Sequence, residues 1–208
     1  MPVFSIEQPV LIMVVGVPAS GKTSLARGIS AVLRDSAYLS KDLIQSAFTE
    51  TERVDGDTYS RIQGPTYKIL VDFSDVQIST GKSPVIDAPF SVNAWRKDAY
   101  SDWIASFKAV AVKHSARLAV VRCMAPDSKE LKRRIQNRHY PWDEWKLAHW
   151  EEFLKREPPD FDIPHTDVLN LVTDRPAPVL VTEVLKDFIK ANELDMTYRG
   201  APDSRKPE

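Results

Sequence analysis

Residues 10–23 read VLIMVVGVPASGKT. An apolar run ends at Val15, and Gly16, Gly21, Lys22 and Thr23 then complete the spacing G-x-x-x-x-G-K-T. An all-apolar run of this length is expected of a strand covered on both faces. KTSLARGISAVLRD follows at 22–35, with Leu25, Ile29, Val32 and Leu33 at helical spacing. Between a strand and a helix, this spacing has a mechanism. The glycines let successive backbone N–H groups turn inward onto phosphate oxygens. The first helical turn adds unpaired N–H groups and the positive end of the helix dipole. Lys22 is expected to reach the β- and γ-phosphates of a nucleoside triphosphate, and the Thr23 hydroxyl to ligate Mg²⁺. The expected nucleotide contacts are Gly16, Pro18, Ala19, Ser20, Gly21, Lys22, Thr23 and Ser24. Gly28, inside the helix, costs about 1 kcal/mol against alanine, which predicts a close neighbour at that point.

The surrounding chain fits a packed α/β protein. Its 208 residues are 43% hydrophobic and 27% charged, enough for a real core and unlike a disordered segment. A formal net charge of -1 offers no global attraction to nucleic acid or to anionic membranes. The single cysteine, Cys123, lies in the apolar stretch LAVVRCM; it cannot form an internal disulfide, which suits a reducing compartment. The apolar run 9–17 is too short to span a bilayer and lacks the flanks of a signal peptide. A cytoplasmic protein without membrane contact is therefore expected. His114, His139, His149 and His165 have no metal-like spacing.

Short apolar runs alternate with amphipathic stretches, which predicts βαβ units and a parallel sheet. Strands are expected at 10–15, 37–40, 84–87, 116–124 and 167–172. Helices are expected at 22–35, at 40–48 with Ser40 as N-cap, from Gly64-Pro65 to about Thr80, from Asn93 to about His114, at 127–138, within 140–160 and at 177–191. The stretch 49–57 reads as a loop, and 195–208 as a loose tail. One domain over 1–208, with a core of about 9–191 and a mobile flap, is the economical organisation.

No N-K-x-D guanine reader follows on a later strand, and PVIDAPF (84–90) carries one acid where motor ATPases have paired acids. A small P-loop kinase remains. At this point GVPASGKTSLA (16–26), YLSKDLIQSAF (38–48), PVIDAPF (84–90) and RIQNR (134–138) occur in an order that resembles the P-loop kinase family of AAA-type predicted kinases. Its relatives include polynucleotide 5′-hydroxyl kinases, zeta toxins and chloramphenicol phosphotransferase.

The resemblance covers about residues 9–190. It implies a three-layer P-loop fold with a five-stranded parallel sheet in the order 2-3-1-4-5 and a helical lid at about 134–156. It implies that Asp42 activates or orients the acceptor hydroxyl. Asp87 matches the second acid, near Mg²⁺ or the acceptor. Arg134 and Arg138, four residues apart and so on one helical face, match an arginine pair closing over the phosphates. Related kinases hold adenine at the position of DRPAP (174–178), which includes Arg175.

The function expected is transfer of the ATP γ-phosphoryl group, with Mg²⁺, to a hydroxyl of a small molecule. A nucleic acid 5′-hydroxyl or a nucleotide sugar is the alternative acceptor. A non-catalytic ATP-binding switch is the alternative of another class. Trp142, Trp145 and Trp150 are expected to anchor a helix, with stacking on a base as the other reading.

Overall fold

The computed structural model describes residues 3–48, 56–90, 97–140, 143–163 and 168–199. The parts of the expected loop 49–57, of the helix from Asn93 and of the tail that fall elsewhere lie outside these residues, as do Trp142 and His165. Five strands form one parallel sheet in the order β2-β3-β1-β4-β5: β1 (Val10–Val15), β2 (Ser36–Ser40), β3 (Ser83–Asp87), β4 (Arg117–Met124) and β5 (Val168–Val172). Eight helices connect them among the described residues: α1 (Lys22–Val32), α2 (Lys41–Ala47), α3 (Gly56–Ser79), α4 (Lys97–Lys113), α5 (Ser128–Arg138), α6 (Asp143–Ala148), α7 (Trp150–Arg156) and α8 (Ala177–Arg199).

The three layers follow from the period of a strand. Side chains alternate between faces, and all six residues of β1 are buried. Val10, Ile12 and Val14 pack with Leu25 and Ile29 of α1 and with Val181 and Leu185 of α8. Leu11, Met13 and Val15 pack with Tyr67 and Leu70 of α3 and with Ile104 and Phe107 of α4. A third cluster joins Val17 to Leu131 and Ile135 of α5 and Phe153 of α7. It fastens the helices above the sheet to the loop after β1.

Gly28 meets the neighbour its cost implied. A Cβ there would lie 2.6 Å from Val181 Cγ2, so the missing side chain lets α1 and α8 approach. Three elements differ from expectation. Pro65 sits inside α3, not at its start. Proline removes a ladder donor and crowds the preceding turn, but Tyr67 and Leu70 hold the helix to the sheet. The expected helix within 140–160 is two short helices, α6 and α7, meeting at His149. The last helix runs on to Arg199 through part of the expected tail. Among the described residues no helix is long and apolar enough to cross a membrane.

Candidate active site

The site lies at the carboxyl ends of the strands, where a parallel α/β sheet opens its ligand crevice. Gly16 leaves β1 with φ 146°. A Cβ there would lie 2.5 Å from both the Cys123 carbonyl oxygen and Ser20 Oγ, so only glycine fits. Ala19 (φ 63°) and Gly21 (φ 93°) complete the curl. Gly21 caps α1 without a side-chain hydrogen bond, and no acid occupies the first turn. The backbone donors at the start of α1 are thereby left for an external anion.

One cavity of about 710 Å³ gathers the predicted side chains. Ala19, Gly21, Lys22, Thr23 and Ser24 line it from the loop and α1; Asp42 lines it from α2, Asp87 from β3, Arg134 and Arg138 from α5, and Arg175 from the turn before α8. Gly16, Pro18 and Ser20 do not line the cavity. Ser20 is fully buried, and its Oγ has no hydrogen-bond partner among the described residues.

Asp87 is placed by strand register. It pairs with Val14 of β1 and with Ser40 of β2, so it ends the strand between the phosphate loop and the turn carrying Asp42. It is 4% exposed. Burial lifts its carboxyl above the ordinary value, while Lys22, the Thr23 hydroxyl and Tyr38 pull it down. Lys22 shifts the opposite way. Burial depresses its ammonium below the ordinary value, against the upward pull of Asp87 and Asp42.

Asp42 stands at the start of α2, where Ser40 Oγ accepts from the Leu43 N–H at 3.1 Å, as expected of the cap. Its side chain is 78% exposed, within the mouth of the cleft. The cleft walls keep part of the bulk solvent from it, which raises its carboxyl, but Lys41 and Lys22 outweigh that and hold it below the ordinary value. Lys41 Nζ reaches Asp42 Oδ1 at 3.3 Å and Gln45 Oε1 at 2.6 Å.

The two arginines of α5 are anchored differently. Arg134 donates to Thr173 Oγ1 at 2.8 Å, to the Thr173 carbonyl at 2.6 Å and to Glu130 Oε1 at 2.8 Å. Thr173 Oγ1 in turn lies 2.8 Å from the Ser20 carbonyl. Arg134 thus ties α5 to the end of β5 and, through Thr173, to the phosphate loop. Arg138 forks onto both oxygens of Asp143, and its guanidinium carbon lies 4.9 Å from the centre of the Tyr140 ring. Arg175 pairs with Asp174 and with Glu183 of α8, beside Ala177 and Leu180 in the cavity wall.

Trp150 packs on Phe153 with ring centres 5.4 Å apart and belongs to the third cluster. Trp145 is half-exposed and stacks on His149. Cys123 is buried, which pushes its thiol up to about 12. Sequence reading did not single out Arg27, Tyr38, Tyr140, Asp143 or Thr173. Only Thr173 had a usable signal, as the residue directly after the last strand.

The family described as AAA domain matches residues 11–159. No curated protein matches the chain. Solved structures of similar fold include a Chloroflexus aurantiacus protein assigned as a kinase, at 19% identity and TM-score 0.65, covering 86% of this chain and 98% of that one. A gluconokinase from Sinorhizobium meliloti has 17% identity and TM-score 0.58, with 93% and 98% covered. The Mycobacterium tuberculosis APS kinase, solved with AMPPNP and APS, has 17% identity and TM-score 0.55, with 86% and 96% covered. At these identities the likeness is one of fold. The family match spans the phosphate loop, Asp42, Asp87 and both arginines of α5, and on that span the chain belongs to the AAA domain family.

Proposed function

We propose that the protein is an ATP-dependent phosphotransferase that moves the γ-phosphoryl group to a hydroxyl of a small molecule. The observation that carries this reading is that Lys22, Thr23, Asp42, Asp87 and Arg138 all line one cleft. Gluconokinase and APS kinase among the fold neighbours support a small-molecule acceptor.

In this reading the backbone donors of the loop and Lys22 hold the β- and γ-phosphates. A phosphate beside Lys22 offsets the burial that depresses its ammonium. Mg²⁺ suits the donor set: Asp87 Oδ1 is a buried acceptor without a hydrogen-bond partner among the described residues, and the Thr23 hydroxyl lies beside that carboxylate. When bound, the ion would neutralise charge on the phosphate oxygens. Asp42, held ionised by Lys41 and Lys22, accepts a hydrogen bond from the acceptor hydroxyl and aims it. Its depressed carboxyl suits orientation better than proton abstraction, and a loose phosphoryl transition state asks mainly for positioning. Arg138 stabilises charge on the transferring oxygens. The segment 134–156 acts as a lid that excludes water, and Arg175, which lines the same cleft, would meet the base.

The test is incubation with γ-labelled ATP, Mg²⁺ and fractionated metabolites or oligonucleotides. A labelled product that vanishes with Lys22→Ala is expected. Asp42→Asn is expected to keep ATP affinity and to lower transfer on the order of 10²-fold, the scale of lost positioning. ATP binding without transfer to any fraction would leave a nucleotide-dependent switch in place of an enzyme.

A further inference from the structure

Asp87 has two carboxylate oxygens in different circumstances. Oδ2 accepts a hydrogen bond from the Tyr38 hydroxyl at 3.1 Å. Oδ1 is buried and has no hydrogen-bond partner among the described residues. Tyr38 comes from β2, two residues before Ser40, whose register partner is Asp87. Its ring is partly buried against the core cluster between the sheet and α1. Arg27 of α1 approaches the same phenol, with its guanidinium carbon 5.8 Å from the ring centre. Arg27 itself lines the cleft. A chain of contacts therefore links three elements: Arg27 of α1 meets Tyr38 of β2, and Tyr38 meets Asp87 of β3.

The chemistry of the donor matters. A lysine or arginine in this place would orient the carboxylate and also pair its charge. A phenol is a neutral donor, so it fixes the rotation of the group and leaves the full negative charge. One oxygen is tied down by Tyr38; the other is left without a hydrogen-bond partner among the described residues, in a carboxylate that the Thr23 hydroxyl also approaches. Partners behind a metal-binding group orient it in this manner, and their loss weakens metal binding on the order of 10- to 100-fold.

We infer that Tyr38 is a positioning residue for Asp87, holding Oδ2 so that Oδ1 faces the hydration shell of a nucleotide-bound divalent cation, with Arg27 bracing the phenol. The inference rests on the phosphotransferase reading above and adds to it a residue outside the phosphate loop. It assigns Tyr38 to cation affinity, not to nucleotide affinity.

The test uses Mn²⁺ as the probe, titrated into the full-length protein with saturating ADP and followed by the electron paramagnetic resonance of free Mn²⁺. Tyr38→Phe removes one oxygen and keeps the ring that packs on Arg27 and the core. It is expected to weaken Mn²⁺ on the order of tenfold and to leave metal-free ADP affinity unchanged. In an Asp87→Asn background, adding Tyr38→Phe is expected to change nothing further, because the group it orients has lost its charge. Three results would overturn the inference: unchanged Mn²⁺ affinity in Tyr38→Phe, an equal loss in the Asp87→Asn background, or loss of metal-free ADP binding. A wild-type protein that binds ADP but takes up no Mn²⁺ with it would sink the parent reading as well.

Discussion

The Arg138 guanidinium donates to both carboxylate oxygens of Asp143, a side chain only 2% exposed. Lys146 Nζ donates to the same carboxylate at 2.6 Å. Asp143 thus joins the last turn of α5 to the first turn of α6. It also holds Arg138 against the cleft, and in the phosphotransferase we propose, that anchoring would leave little reorganisation for the reaction.

Removing that charge tests the junction. Burial raises the Asp143 carboxyl, but Arg138 and Lys146 outweigh it and hold it below its ordinary 3.8. A group depressed in the folded state adds stability that is complete above its unfolded value and lost as pH falls through the folded one. Asp143→Asn is expected to cost about 2 kcal/mol at neutral pH, below the range for a fully buried pair because Arg138 is partly exposed. Urea denaturation should show the difference from wild type closing below about pH 4. A difference that persists unchanged into strong acid would contradict the assignment.

Thr173→Val keeps the shape and removes the hydroxyl shared by Arg134, Ser20 and Met124. Thr173 is 7% exposed, so its partners are left without replacement solvent. A loss of about 1–3 kcal/mol is expected, together with weaker ATP binding, because the Ser20 carbonyl belongs to the phosphate loop. Calorimetric titration would separate the two effects. Full affinity in the variant would show that the loop holds its shape without this tie.

Lys22 predicts a pH limit on nucleotide binding. Burial depresses its ammonium below the ordinary 10.5, and a bound polyphosphate would raise it again. ATP affinity is therefore expected to fall as pH rises through the depressed value, earlier than for a free lysine. Titrations between about pH 7 and pH 10 measure it. Affinity that stays flat across that range would mean that Lys22 does not carry the contact.

Gly28→Ala tests the contact between α1 and α8. Alanine favours a helix over glycine by about 1 kcal/mol, yet its Cβ would lie 2.6 Å from Val181 Cγ2. Overpacking of this kind costs about 1–3 kcal/mol, so net destabilisation is expected. Adding Val181→Ala should recover part of it, and thermal unfolding of the single and double variants would show the coupling. Strict additivity would mean that the two residues do not meet.

The phosphate loop was legible because its information is local. Val10–Val15 are apolar at every position, and Gly16 and Gly21 adopt the positive φ that their spacing implied. Ser40 was legible as a cap for the same reason. Pro65 misled because proline at a helix start is a local rule, and the packing of Tyr67 and Leu70 on the sheet overrode it. The β2-β3-β1-β4-β5 order came from resemblance, since alternating elements alone do not state which strands are neighbours.

Short-range chemistry therefore specified the loop, the strand before it, the helix after it and the acid at the head of α2. Long-range packing specified the rest. Tyr38 and Asp87 are 49 residues apart, and Thr173 and Ser20 are 153 apart. No periodicity or spacing in the chain couples such pairs. They meet because neighbouring strands end at one edge of a parallel sheet, and which strands are neighbours is settled only when both faces of β1 are buried together.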